Sequence, residues 1–212
     1  KLASLLLYPS GKTDASFTVE DGVTAIADGA FKGNTWLEEI IFPSSLTSIG
    51  KEAFCQSTKL ASVTFNQTEG KLAIGDYAFY QLNLKALNLP ANAEITIGDY
   101  AFADNKMLES VSLGKTVSIG NHAFEKMAQD ADSDVELVLP ETLKTIGHYA
   151  FNGAKVATAS FHGTSALETI GAYAFSETSL SSFTVPASVR VIYAYAFSEN
   201  DSLQSLLFEE GT

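Results

Sequence analysis

Ile97-Gly98-Asp99-Tyr100-Ala101-Phe102 decides the fold, because near-copies of this stretch recur from one end of the chain to the other. Its Ala-Phe pair returns at Ala30-Phe31, Ala53-Phe54, Ala78-Phe79, Ala101-Phe102, Ala123-Phe124, Ala150-Phe151, Ala174-Phe175 and Ala196-Phe197. Successive phenylalanines are 23, 25, 23, 22, 27, 24 and 22 residues apart. Five residues before each lies an isoleucine (Ile26, Ile49, Ile74, Ile97, Ile119, Ile146, Ile170, Ile192), followed by Gly in six of the eight units. A period of this length marks a repeat array, in which one unit cannot bury its apolar face alone and stacked units can.

Between these copies runs a second motif, Leu-x-x-Leu-x-Leu, as in Leu37-Glu-Glu-Ile40-Ile-Phe42, Leu84-Lys-Ala-Leu87-Asn-Leu89 and Leu108-Glu-Ser-Val111-Ser-Leu113. Alternation over its last three positions is the period-two pattern of a strand with one buried face. Pro43, Pro90, Pro140 and Pro186 follow directly, and a residue without an N–H ends a sheet ladder. Each unit therefore reads as one strand, a corner, a short extended piece ending in Ile-Gly, and a tight helical turn carrying Ala-Phe. The glycine column has a test inside the chain. Ala27 and Tyr193 occupy it in the first and last units, so close packing explains it better than a left-handed backbone does.

These motifs resemble the BspA-like leucine-rich repeats, a bacterial and protist surface family with units of the form Leu-x-x-Leu-x-Leu-Pro and Ile-Gly-x-x-Ala-Phe. The resemblance covers essentially the whole chain. Cys55 is the only cysteine placed after an Ala-Phe turn, where many family members carry one. The resemblance implies an α/β fold, a right-handed curved horseshoe-like solenoid that is β-rich, with one short strand and one short helical turn per repeat. Residues 1–212 form one domain on this reading, with about eight repeats and a truncated ninth. The resemblance also implies an extracellular, cell-surface or secreted place. Its implied role is non-catalytic adhesion, with host or microbial surface proteins or glycans as partners. The alternative from another class is a structural rod that displays other domains.

Composition sets bounds of its own. The chain carries 25 acidic and 13 basic residues, a net charge of −12, which disfavours nucleic acid and anionic membranes as partners. A single cysteine rules out an internal disulfide framework. No apolar run reaches membrane-spanning length. The chain opens at Lys1 and closes with Glu209-Glu210-Gly211-Thr212 after an apolar strand, which reads as an excerpt of a longer polypeptide.

Two surfaces stand out as candidate sites. Tyr77, Tyr100, His122, Tyr149, Tyr173 and Tyr195 each precede an Ala-Phe pair, which predicts an aromatic ladder along one flank. Such a row serves either as a platform for sugars and proteins or as packing between coils. The outward positions of the Leu-x-x-Leu-x-Leu strands, Glu38, Glu39, Lys85, Asn88 and Glu109 among them, form a small, polar, mildly acidic face. Asp130, Asp132 and Asp134, with Glu141, have the spacing of calcium-loop ligands. Val135 stands where that loop needs Gly, so the segment reads as a solvated acidic loop. No cofactor motif is present. Gly11-Lys12-Thr13 and Gly114-Lys115-Thr116 lack the first glycine of a phosphate loop and read as ordinary turns. His122, His148 and His162 fall at different columns, with no catalytic context. Asn66-Gln67-Thr68 and Asn200-Asp201-Ser202 are glycosylation triplets.

Overall fold

A computed structural model describes residues 3–5, 8, 12–67, 69–161 and 163–210. The strands are numbered β1 to β18 in chain order, and every pairing between them is parallel. The odd-numbered ones are β1 (Ala3–Leu5), β3 (Val23–Ile26), β5 (Ser48–Ile49), β7 (Lys71–Ile74), β9 (Glu94–Ile97), β11 (Lys115–Ile119), β13 (Thr145–Ile146), β15 (Thr169–Ile170) and β17 (Val191–Ile192). They form one unbroken nine-stranded sheet in that order. The even-numbered strands make three smaller sheets. These are β2 (Ser16–Thr18), β4 (Glu39–Phe42) and β6 (Ser62–Phe65); then β8 (Ala86–Asn88), β10 (Ser110–Ser112), β12 (Val135–Leu139) and β14 (Val156–Phe161); then β16 (Ser182–Val185) and β18 (Ser205–Phe208).

This corrects the expected unit in two respects. Each coil carries two strands, and the continuous sheet is built by the short pieces ending in isoleucine, in register Ile26, Ile49, Ile74, Ile97, Ile119, Ile146, Ile170 and Ile192. The Leu-x-x-Leu-x-Leu strands are the discontinuous ones, and corner length explains why. From Phe65 to Ile74 and from Phe161 to Ile170 the corners are the longest in the chain, because Asn66–Gly70 and residues 162–165 lengthen them. The sheet breaks directly after β6 and directly after β14.

The second correction concerns the helical turn. No helix occurs among the described residues, so the α/β assignment and the helical turn do not hold. The Ala-Phe segment spends its N–H groups differently. Tyr77, Phe79 and Gln81 donate to the carbonyls of Asp99, Ala101 and Ala103 in the next coil at 2.8, 2.8 and 3.0 Å. Only the intervening Ala78 and Tyr80 donate within the turn, to Gly75 and Tyr77. An α-helix needs every N–H for the residue four back, and here alternate ones point along the stack.

That geometry requires left-handed backbone at two columns. One is the residue before Ala-Phe: Gly29, Glu52, Tyr77, Tyr100, His122, Tyr149, Tyr173 and Tyr195, with φ between 55° and 63°. The other lies four residues on: Gly33, Gln56, Gln81, Asp104, Lys126, Gly153, Glu177 and Glu199. Most of these are not glycine, and each such residue costs about 1 kcal/mol. The inter-coil hydrogen bonds, worth about 0.5–1.5 kcal/mol each, offset that cost.

The glycines of the Ile-Gly motif serve another purpose, as the sequence predicts. None of Gly50, Gly75, Gly98, Gly120, Gly147 and Gly171 has positive φ. A Cβ on any of them would come within 2.4–2.8 Å of atoms in the preceding coil, mostly backbone. Between the sheets the motif phenylalanines form a stack of their own. From Tyr8 through Phe31, Phe54, Phe79, Phe102, Phe124, Phe151, Phe175 and Phe197, neighbouring centroids are 4.7–5.6 Å apart. The spacing is close to that of adjacent strands, so each ring covers the next. The small alanines beside them, such as Ala78 and Ala101, are fully buried.

Candidate functional site: the aromatic flank and the outer sheet face

The aromatic flank follows from the left-handed column. Each ring projects from the same backbone conformation in each coil, and the coils repeat at strand spacing. Tyr77, Tyr100, His122, Tyr149, Tyr173 and Tyr195 consequently stack face to face, with centroids 4.3–4.9 Å apart and planes within 20°. All but Tyr195 are half-buried, and Tyr195 is 63% exposed. The ring faces between them are occupied, and the ring edges form the outer rim of the column. Burial, and after it the neighbouring tyrosines, holds the Tyr100 and Tyr173 hydroxyls above their ordinary pKa. Tyr80 packs edge-on against Tyr77. Burial first, then the Asp104 carboxylate, pushes Tyr80 up to about 12. His122 continues the row where the others carry Tyr, and its Nδ1 lies 2.8 Å from Glu125 Oε2.

Beside this flank runs a second ladder that the sequence reading did not separate from it. The residue two after the motif isoleucine reaches forward to the backbone of the next coil. Asp28 Oδ1 accepts from the Lys51 N–H, Asp76 from Asp99, Asp99 from Asn121 and Asn121 from His148, all at 2.7–2.9 Å. His148 Nδ1 then accepts from the Ala172 N–H at 2.8 Å, which places its ring proton on Nε2. The residues of this column are acceptors for the stack.

The outer sheet face is divided. Glu39 opens β4 of the three-stranded sheet, directly after Glu38. Asn88 ends β8 of the four-stranded one, beyond the break after β6, and Lys85 and Glu109 stand just before β8 and β10. Glu39 is half-buried and accepts from Ser16 Oγ at 3.1 Å; the other four are exposed. The structure thus does not gather these five residues on one sheet. Asp130, Asp132 and Asp134 are exposed, and Asp134 lies 3.8 Å from Lys155 Nζ. Among the described residues no group of acidic, His or Cys side chains is placed to hold a metal ion. His162, Gly11 and Thr68 lie outside the described residues. The Asn200 glycosylation triplet is spent internally: Asn200 Nδ2 donates to the carbonyls of Phe175 and Phe197 at 2.6 and 2.9 Å.

Trp36 is the group that sequence reasoning missed. It is the only tryptophan, it is 47% exposed, and Lys59 Nζ sits 5.3 Å from its ring centroid. The signal existed. Trp36 stands just before the leading Leu of the second motif, where other units carry Lys59, Asn83, Met107, Lys155, Ser179 and Ser202. A large ring in a mostly polar column points outward.

The columns, the two-strand coil and the motif spacing coincide with a known repeat. The model of the BspA-type leucine-rich repeat region matches residues 24–132 and 129–212, with six copies. The chain belongs to this family. No curated protein matches the chain by sequence. Among solved structures, this BspA-type repeat chain is similar to a leucine-rich repeat protein from Bacteroides ovatus, with TM-score 0.57, 22% identity, and coverage of 91% of this chain and 63% of that one. It is similar to the leucine-rich repeat protein of T. pallidum, with TM-score 0.58, 23% identity, and coverage of 78% and 77%. It also resembles a leucine-rich cell surface protein from Faecalibacterium prausnitzii, with TM-score 0.60, 21% identity, and coverage of 93% and 48%. The chain therefore spans about half to three-quarters of the length of these structures. At such identities they speak for the fold. No helix among the described residues is long and apolar enough to cross a membrane.

Proposed function

We propose that this BspA-type repeat is a non-catalytic binding module of a bacterial cell-surface or secreted protein, and that the edge of its aromatic flank contacts proteins rather than glycans. The observation that carries this reading is the stacking of Tyr77 through Tyr195. Sugar rings dock on open aromatic faces, and here the intervening faces are already covered at 4.3–4.9 Å. What remains is a rigid row of half-buried ring edges. Such a row binds at low entropic cost, because its side chains are already ordered before a partner arrives. The family, and the cell-surface name of the Faecalibacterium relative, support the extracellular place.

A structural rod is the second reading, favoured by the unbroken nine-stranded sheet and the continuous phenylalanine stack. An array of immobilised extracellular-matrix proteins and glycans separates the two. The binding-module reading expects saturable retention on protein spots above glycan spots. Uniform silence favours the rod.

A further inference from the structure

One corner of the solenoid is shorter than the rest. From the last residue of the second motif to the isoleucine, the corners of the complete units measure seven to nine residues; from Leu113 to Ile119 the distance is six. Three residues before the isoleucine, where other corners carry Leu46, Leu143, Leu167 or Val189, or the charged Lys71 and Glu94, this corner carries Thr116. Thr116 is buried and its Oγ1 is turned back to the Leu113 carbonyl at 2.6 Å. On the following coil the acidic insertion at 129–134 precedes β12, and β10 and β12 share only the Ser112–Val138 pair.

Two consequences follow. Val111 is half-exposed, although Ile40, Val63, Leu87, Leu137, Ala159 and Phe183 in the same column are all buried. A cavity of about 560 Å³ opens between the coils, walled by Val111, Leu113, Val138 and Pro140, with Lys115 and Glu141 at its rim. It is an open groove at the surface. Exposed carboxylates outnumber the cation beside it. Glu136 and Glu141 flank Val138 and belong to no ion pair among the described residues, against Lys115 on the lining, whose register partner Glu94 is paired with Lys71 at 3.0 Å.

We infer that this notch receives a large aliphatic side chain from an extended basic segment of a partner polypeptide, with cationic residues on either side of it meeting Glu136 and Glu141. The inference rests on the binding-module reading and gives that module a second contact, away from the aromatic flank. An apolar floor selects the central side chain. The two unpaired carboxylates, one on either side of Val138, select its neighbours.

The test is methyl NMR of the 212-residue chain titrated with the peptide acetyl-Lys-Ala-Leu-Ala-Lys-amide. Saturable shifts are expected at the Val111 and Val138 methyls. Replacing the peptide's Leu with Ser, or both Lys with Glu, should weaken binding by about tenfold. Ala91→Trp, an exposed position on the notch wall, should abolish the shifts while leaving the unfolding midpoint unchanged. Glu136→Gln with Glu141→Gln should weaken binding about threefold without touching the cavity. Equal binding of the Ser peptide, shifts centred elsewhere, or no saturation overturns the inference. Retention of the chain on matrix proteins alongside any of these results leaves the binding module standing.

Discussion

Tyr100 lies face to face with His122, centroids 4.3 Å apart and planes within 4°, and on its other side with Tyr77 at 4.7 Å. Both faces of Tyr100 are thus occupied by neighbours from adjacent coils. Its partner two residues on, Phe102, is sandwiched in the same way but fully buried. The two columns differ in what lies at their edges: water for tyrosine, the core for phenylalanine.

That difference sets the first prediction. Phe102→Ala removes a ring that packing closes on every side, and should destabilise by about 3–5 kcal/mol. Tyr100→Ala should cost clearly less, because its rim already faces solvent. Urea unfolding of both variants checks the order. A Tyr100 loss as large as that of Phe102 would make the flank a purely structural element.

Backbone strain supplies the second. Lys126 holds φ 55° at an exposed position where Gly33 and Gly153 occupy the same column in other coils. Lys126→Gly should stabilise the chain by about 0.5–1 kcal/mol by removing the left-handed penalty. Thermal unfolding reads it directly. A loss of stability would mean that the lysine side chain contributes more than its strain costs.

The acceptor ladder gives the third. His148→Asn should be nearly neutral, since Asn121 accepts from the next coil in the same column. His148→Ala leaves the Ala172 N–H without that acceptor and should cost about 1 kcal/mol. The contrast between the two variants, measured by denaturant unfolding, isolates the hydrogen bond from the loss of the ring.

Alkaline pH gives the fourth. Tyr80 is pushed from 10.0 to about 12, and Tyr8, Tyr100 and Tyr173 are also raised, in each case chiefly by burial. The folded state therefore holds these protons more tightly than the unfolded state. Their contribution is present in full below the unfolded value and is lost as pH rises through the folded one. Stability should fall between pH 10 and about 12. A tyrosinate absorbance titration should show part of the tyrosine ionising late, together with unfolding. Tyr80→Phe should move that late component.

Most of the architecture could be read in the sequence because identical columns repeat. Phe102, Ala101 and Gly98 declare their packing through their copies in the other coils. Two features could not be read. The left-handed turns are hidden because Tyr100, Glu52 and Lys126 stand where local rules look for glycine; inter-coil hydrogen bonds override that preference, and no window of adjacent residues contains them. The dominant sheet was misassigned because β5, β13, β15 and β17 are two residues long and show no alternation. The aromatic flank was legible as a column, but whether its faces were open or closed depended on the spacing of coils. Trp36 and the six-residue corner after Leu113 were legible by comparison with their columns.

The most direct test of the proposed function is a titration of the chain against the matrix protein that retains it most strongly on the array, repeated with Tyr100→Asn plus Tyr173→Asn. Asparagine tolerates left-handed backbone, so this variant removes the rings and keeps the turns. Saturable binding of the parent chain, weakened by about tenfold or more in a variant with a cooperative unfolding transition, is the predicted result. Equal affinity of the two proteins, or no retention of the parent chain on any protein spot, would contradict it.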